Sequence, residues 1–543
     1  MIVEPSEFDL IVVGTGLQES LIAGAAAKAG KTVLHLDASG LYGDLWAGLT
    51  LEEYANWAEA HKRSWKSRAV GPQGESGDAR NPAECDDRQY AALVVENCND
   101  VYKNVTTESS EGFDIARERG YVVDLVPKVT YCSGALVSAL VEAKAHQYTD
   151  YRLLDESYVW SDGMLVKVPA SRSDVFKDRT LDASEKRILT LFLKKVVGEL
   201  EKQMLGAKEG VSFEGGNFRE WLKAEGLSEK LADMIYYSIA LKEVGQSNLT
   251  VQEGFEGLSL YLRSIGRYKP DSSPFMLPQY GCSDVPQAFC RTCAVNGGIY
   301  VLRCGINSVL LEDGPSGNRC AGVTTHYGQQ ILCKKLVLPG HLTGIYSGPG
   351  EDADGDWISR GLCVTDISLQ EGKSQILVVI PPGCLGGNSE CVKILQLGPP
   401  TCPEGRFLIH LSALSDGKSS AKDDLWPVVQ TLLNTQTSSH TQNPTTSLED
   451  TRPKLLWSSF HSQATNLDCQ EGSSAPENVV CCGLPGGMIG YGADVELARG
   501  LFGKLFPDLE FLSCAELNDR ILVDSDEDML DDLEAELSNL GVA

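Results

Sequence analysis

The stretch FDLIVVGTGLQESLIAGAAAKAGKTVLHLDASGLYG, residues 8–43, opens with an apolar run from Leu10 to Val13 that stops at Gly14. A segment able to be helical continues to Ala29, and a second, mostly apolar run from Val33 to Leu36 closes on Asp37. Strand, glycine turn, helix and strand, with an acid about twenty residues past the turn, make up the unit that cradles a dinucleotide. The glycines let backbone approach the pyrophosphate, and the acid meets a ribose hydroxyl. Gly14 and Gly16 alone read equally well as a tight turn. The two strands and Asp37 in register carry the reading further, to an α/β fold with a Rossmann-type βαβ domain.

One position breaks the pattern. The third glycine place is occupied by Glu19. That glycine normally allows close packing of helix on strand beside the pyrophosphate. A carboxylate adds bulk there and sets negative charge at a helix end that should attract anions. The expectation is a dinucleotide fold that has lost its dinucleotide, with no cofactor and flavin binding gone.

The chain of 543 residues is long enough for two or three domains. A formal charge of −28 argues against a general nucleic-acid binder, which needs clustered Lys and Arg, and favours basic or mixed-charge partners. Glu4, Glu7 and Asp9 precede the first apolar run, so no signal peptide is expected, and no apolar stretch reaches membrane-span length. The final LGVA is not a prenylation box. Seventeen scattered cysteines read as mostly reduced core thiols. Cys290 and Cys293 form a lone CxxC and Cys481–Cys482 a vicinal pair; without a second CxxC or a His pair, no metal site is expected.

Farther along, residues 71–87 are rich in Gly, Pro and acid and read as a flexible insertion. Asp162-Gly163 between apolar runs predicts a hairpin over 158–169. Ile188, Leu189, Phe192, Leu193, Val196, Val197 and Leu200 share one helical face over 182–205, with Asp182 and Glu185 spaced as a capping box. Further helices are expected over 218–225, 231–241, 251–268 and 283–295. Strands return from 299, with a turn at Asp313-Gly314, and again over 374–380, 392–397 and 407–412. The polar tract 434–453 reads as a loop. The domain plan is thus 1–120 as the first part of the dinucleotide fold and 121–245 as an inserted, mainly helical domain. The remainder of the first domain follows over 246–523, then an acidic tail over 524–543.

Several segments together resemble one superfamily, the Rab GDP-dissociation inhibitors and Rab escort proteins. They are VVGTGLQES (12–20), VLHLDASGLYGD (33–44), DLVPKVTYCSGALVSALV (124–141), GRYKPDSSPFMLPQYG (266–281), VPQAFCRTCAVNGGIY (285–300) and CCGLPGG (481–487). They recur in family order across most of the chain, and Glu19 fits the family's altered glycine pattern. The resemblance implies a flavin-monooxygenase-like fold used to bind small GTPases. Asn296, where the family usually has an aromatic, and Lys269, where glycine is common, depart from its pattern.

VPASRSDVFKD, residues 168–178, resembles the escort branch, which carries an aromatic here to dock the α-subunit of the geranylgeranyltransferase α/β heterodimer; Phe176 matches it. Arg187 is a weaker candidate for the same interface. The alternative for Phe176 is a staple onto its own helix. By resemblance the platform for GDP-bound Rab comprises Tyr42, Glu253 near the start of the 251–268 helix, and Arg267 and Tyr268 at its end. Arg267 and Tyr268 also read as a helix C-terminal cation with a core aromatic, and Glu253 as a solvated helix face.

The implied work is escort without bond-making. A geranylgeranyl chain of about twenty carbons, at about 0.8 kcal/mol per buried methylene, costs on the order of ten kcal/mol or more if left in water. Apolar helix faces at 136–141 and 188–197 are candidate shelters for that lipid, though ordinary core packing is the simpler reading of each residue. No GxSxG, HExxH or P-loop appears. The expected setting is the cytosol with transient membrane contact. The rivals are a dissociation inhibitor that extracts prenylated Rabs, and a flavin oxidoreductase.

Overall fold

The computed structural model describes residues 2–68, 90–95, 101–204, 216–241, 249–314, 317–342, 344–347, 357–435, 450–465 and 475–513. The insertion expected over 71–87, most of the 434–453 tract and the acidic tail lie outside these.

The opening stretch folds as its pattern dictates, into strand β1 (Glu7–Val13), helix α1 (Leu17–Lys28) and strand β2 (Val33–Asp37). Both strands are nearly all buried because the sheet is covered on both faces, as parallel sheets are. β1 pairs in parallel with β2 on one side and with Gln330–Leu338 on the other. Ile299–Leu302 extends the parallel edge beyond β2. Gln330–Leu338 then turns the sheet antiparallel through Gly317–Thr325, Ile306–Gly314 and Ala91–Val94, and Val479–Cys481 joins it in parallel from the far end of the chain. Helix α1 is buried from Leu17 to Ala27, between the Asp284–Val295 and Gly492–Leu505 helices. Its small residues permit that; a Cβ on Gly24 would stand 3.4 Å from the Phe289 carbonyl.

A second eight-stranded sheet runs in the order Met164–Lys167, Glu156–Ser161, Ile376–Ile380, Val392–Leu397, Phe407–Ser415, Trp357–Thr365, Leu455–Ala464, Tyr102–Ser109. One face packs on the Ala421–Leu432 helix; the other joins the large core shared with α1. Asp162 and Gly163 have φ of 51° and 82° and close the hairpin expected at 158–169. The helix Ala183–Met204 starts on the expected box: the Glu185 amide donates to Asp182 Oδ1 at 2.8 Å and the Asp182 amide to Glu185 Oε2 at 3.2 Å.

Three boundaries differ from expectation. The helix expected over 251–268 ends at Ser264, because Ile265 is extended and Gly266 takes φ +70°. Gly314 pairs with Gly317, so Asp313 and Gly314 lie within the strand and are not the turn expected there. The inserted segment is not mainly helical from its start: 121–167 contributes strands to three sheets around the helix Ala135–Glu142, and the succession of helices runs from Arg172 to Ser264.

Candidate functional site

The turn between β1 and α1 shows what became of the cradle. Gly14 takes φ +84°, where only glycine is unstrained. Gly16 caps α1 with no side-chain partner. The Glu19 carboxyl folds back over this helix end, so that a Cβ on Gly16 would lie 2.4 Å from its Oε2. It contacts its own amide and accepts a hydrogen bond from the Cys482 thiol. Burial, reinforced by the charges of Asp44 and Asp37, pushes Glu19 up to about 8. This corrects part of the sequence argument: near neutral pH the side chain is mostly protonated, so it obstructs the cradle by bulk more than by charge.

Asp37 is equally committed. Its Oδ2 accepts from the Thr15 amide at 2.9 Å and from the Thr15 hydroxyl, and its Oδ1 from the Ser39 amide at 2.7 Å. The Thr15 hydroxyl oxygen in turn accepts from the Gly43 amide. An acid that would greet a ribose is thereby used to staple the loop that follows β2. Burial first, then the nearby Asp44, raises Asp37 to about 6.

Beneath the cradle lies a pair that the sequence reading did not single out. Lys128, fully buried, donates to Asp494 Oδ2 at 3.0 Å and to the carbonyls of Met488 and Gly490. Its ammonium also lies 5.1 Å from the Trp46 ring, which stacks on Tyr491. A lysine set among the apolar residues of LVPKV was the available signal. The pair pins the 124–131 segment to the start of the Gly492–Leu505 helix, 366 residues away in the chain.

Of the residues expected to bind a GTPase, Tyr42 lies in the loop after β2, Glu253 on the Val251–Ser264 helix, and Arg267 and Tyr268 just beyond that helix. Tyr42 is half-buried and meets Tyr300 edge-on at 6.1 Å, while Tyr300 is tied to His35 Nδ1 at 2.7 Å. Tyr268 is 57 % exposed and Arg267 is exposed, both in the turn after Ser264. They are therefore neither a helix C-terminal cation nor a core aromatic. Glu253 lies at the opposite end of that fourteen-residue helix, about 20 Å away at 1.5 Å per residue. Its carboxylate closes a capping box with Thr250, accepting from the Thr250 amide and hydroxyl at 2.8 Å. Glu253 thus has a structural task whatever else it contacts.

Phe176 sits on a short helix, Arg172–Lys177, capped by Ser171. Its neighbour Val175 turns inward, while Phe176 remains 59 % exposed. It is not a staple. Lys186 donates to the Phe176 carbonyl at 2.9 Å and so fixes this turn on the Ala183–Met204 helix, where Arg187 is exposed. Leu191, one turn on from Arg187 and on the same face, is 57 % exposed and was also missed. The apolar faces proposed as lipid shelters are already filled: Leu136, Leu140, Leu189, Phe192 and Val196 are core, with Phe192 packed against Trp221 at 5.7 Å. Cys290 and Cys293 are buried free thiols, Cys290 lying 3.2 Å from the Ser20 hydroxyl.

A βαβ cradle filled by its own acid, joined to a second sheet and a run of helices, defines a protein of oxidoreductase-like fold. The profile of the GDP dissociation inhibitor family matches residues 4–73 and 87–428, and the chain belongs to that family. It is 31 % identical over 545 residues to Rab escort protein 1 of Arabidopsis thaliana (92 % of this chain, 93 % of the relative). It is 29 % identical over 530 residues to the Rab proteins geranylgeranyltransferase component A of Drosophila melanogaster (96 % and 93 %). The Rab GDP-dissociation inhibitor of Saccharomyces cerevisiae is 25 % identical over a shorter span, 75 % of this chain and 80 % of the relative. In architecture the chain is similar to the Rab GDI of Plasmodium falciparum, with TM-score 0.65, 17 % identity, and 93 % and 99 % coverage. An oxidoreductase from Methanosarcina mazei follows at TM-score 0.50 and 13 % identity, with 91 % and 99 % coverage. Among the described residues no helix is long and apolar enough to cross a membrane.

Proposed function

We propose that this protein escorts Rab GTPases. It binds the newly made GDP form and presents its C-terminal cysteines to the geranylgeranyltransferase α/β heterodimer. It then shields the geranylgeranylated product from water until the membrane receives it. The protein contributes presentation and lipid shelter, while bond-making belongs to the transferase. It works in the cytosol with transient membrane contact.

The observation that carries this reading is Phe176, an aromatic held in water on a turn that Lys186 fixes to the helix carrying the exposed Arg187. A large apolar ring left exposed next to a cation is the composition of a binding hot spot. It stands in the segment that resembles the escort branch. The near full-length match to relatives named as escort protein and component A supports the same branch over the dissociation inhibitor. Tyr42, Arg267 and Tyr268 serve as anchors for the GTPase, with Glu253 capping the helix that leads into Arg267 and Tyr268.

The cradle does not fit a dinucleotide. Glu19 fills the space beside Gly16, and both Asp37 oxygens are engaged within the loop. The purified protein is therefore expected to be colourless, and a stoichiometric flavin band would overturn this part of the reading. The decisive assay is prenylation of unprenylated Rab by purified transferase. Stimulation on adding this protein is expected. No stimulation, together with extraction of lipidated Rab from membranes, would make it a dissociation inhibitor.

A further inference from the structure

One stripe on the run of helices carries charge opposite to that of the chain as a whole. On Ala183–Met204, Arg187, Leu191 and Lys194 stand four and three residues apart, hence on one face, and all three are exposed. The turn that Lys186 holds to the start of this helix adds exposed Phe176, Lys177 and Arg179. Acids of the region are engaged among themselves. Asp178 accepts from the Thr180 amide and hydroxyl, Asp182 and Glu185 close the capping box, and Glu225 pairs with Lys195 at 2.7 Å. Among the described residues Lys177, Arg179, Arg187 and Lys194 have no carboxylate at ion-pair distance. Two large apolar side chains and four cations thus face water in a protein of formal charge −28.

The complementary composition stands in residues 524–543, DSDEDMLDDLEAELSNLGVA, which hold eight acids and no Lys or Arg. Leu530, Leu533, Leu537 and Leu540 recur at the spacing of one helical seam, with Asp531, Asp532, Glu534 and Glu536 between them. The described chain stops at Ser513, next to Leu512, whose carbonyl accepts from Lys28. Lys28 also donates to the Glu142 carbonyl at the end of the Ala135–Glu142 helix. Just before that helix, the Ser133 hydroxyl donates to the Arg263 carbonyl at 2.8 Å, and the Val251–Ser264 helix packs on Ala183–Met204. At 1.5 Å per helical residue and about 10 Å between packed helices, this route is about 50 Å long, and the straight line is shorter. The chain from Ser513 to Leu530 extends to about 56 Å, so the leucine seam can reach the stripe.

Leucines flanked by carboxylates complement an exposed Phe and Leu flanked by cations. We propose that the acidic tail docks, within the same molecule, on the stripe Arg187–Leu191–Lys194 and the Phe176 turn, and so masks the surface offered to the transferase. The masking rests on the transferase reading of Phe176; the docking does not. A segment on a short tether acts at about millimolar effective concentration, so one that binds at about 0.1 mM on its own weakens a competitor about tenfold.

Carbodiimide cross-linking of the full chain at low ionic strength, mapped by mass spectrometry, tests the docking. Amide links from Lys177 or Lys194 to carboxylates of 526–536 are expected within monomers, in a yield independent of protein concentration and lost above about 0.5 M salt. No such links, or links only between molecules, overturn the docking. The masking is read by titrating the transferase heterodimer into the full chain and into a variant carrying Asp531→Asn, Asp532→Asn, Glu534→Gln and Glu536→Gln. Neutralising the tail should tighten binding about tenfold at low salt, and equal affinities refute the masking. Failure of both chains to bind the transferase would refute the reading of Phe176 instead, and the cross-links would still decide the docking.

Discussion

Replacing Glu19 with Gln tests the state of the cradle directly. The amide keeps the shape of the side chain and removes its titration. In the folded protein Glu19 is raised from 4.5 to about 8. The folded state therefore holds a proton that the unfolded chain releases, and stability falls as pH rises from about 4.5 through about 8. At about 1.4 kcal/mol per tenfold change in proton affinity, the whole displacement is worth about 5 kcal/mol. About 3 to 4 kcal/mol of it falls between about pH 5 and about pH 8. Asp37, raised to about 6, and Asp124, raised to about 7, lose stability in the same direction, so the wild-type curve alone would not isolate Glu19. The difference between wild type and Glu19→Gln does. Urea unfolding followed by tryptophan fluorescence, at several values across that range, should show the variant gaining on the wild type by that amount at the alkaline end. Two parallel pH profiles would mean that the carboxyl is solvated, and the obstruction of the cradle would lose its physical basis.

Phe176→Ala should weaken transferase recruitment at least tenfold in a titration with the purified heterodimer, while Rab·GDP binding stays within about twofold; equal loss of both would make Phe176 a packing residue. Tyr268→Ala should leave the melting temperature unchanged, since the ring is exposed, and reduce Rab affinity about tenfold; a fall in stability without a change in affinity would remove it from the platform. Lys128→Met leaves Asp494 buried opposite two carbonyls and should cost about 3 to 5 kcal/mol in urea unfolding, most of it recovered in the double variant with Asp494→Leu.

Local pattern was enough for the βαβ unit, because apolar runs, glycine placement and a terminal acid are properties of neighbouring residues. The same holds for the 158–169 hairpin and the box that starts the Ala183–Met204 helix. Glu19 was legible as an intruder for that reason: it stands where the motif specifies the absence of a side chain. Its protonation was not legible, since that depends on Asp44 and on complete burial. Phe176 could be placed before a helix from sequence, yet its exposure follows from Val175 turning inward and Lys186 holding the Phe176 carbonyl.

The amino-acid sequence by itself determined the cradle, its spoiling residue, the succession of strands and helices, and the resemblance to a family. Only the tertiary structure decided that Arg267 and Tyr268 leave the helix, that the apolar faces at 136–141 and 188–197 are spent on the core, and that Lys128 meets Asp494. It alone showed Arg360 buried and donating to Gln463 and the Gly486 carbonyl. The division has a physical cause. Helix and turn preferences are fixed within a few residues, whereas burial, charge pairing and free surface depend on segments hundreds of residues apart that meet only when the chain closes on itself.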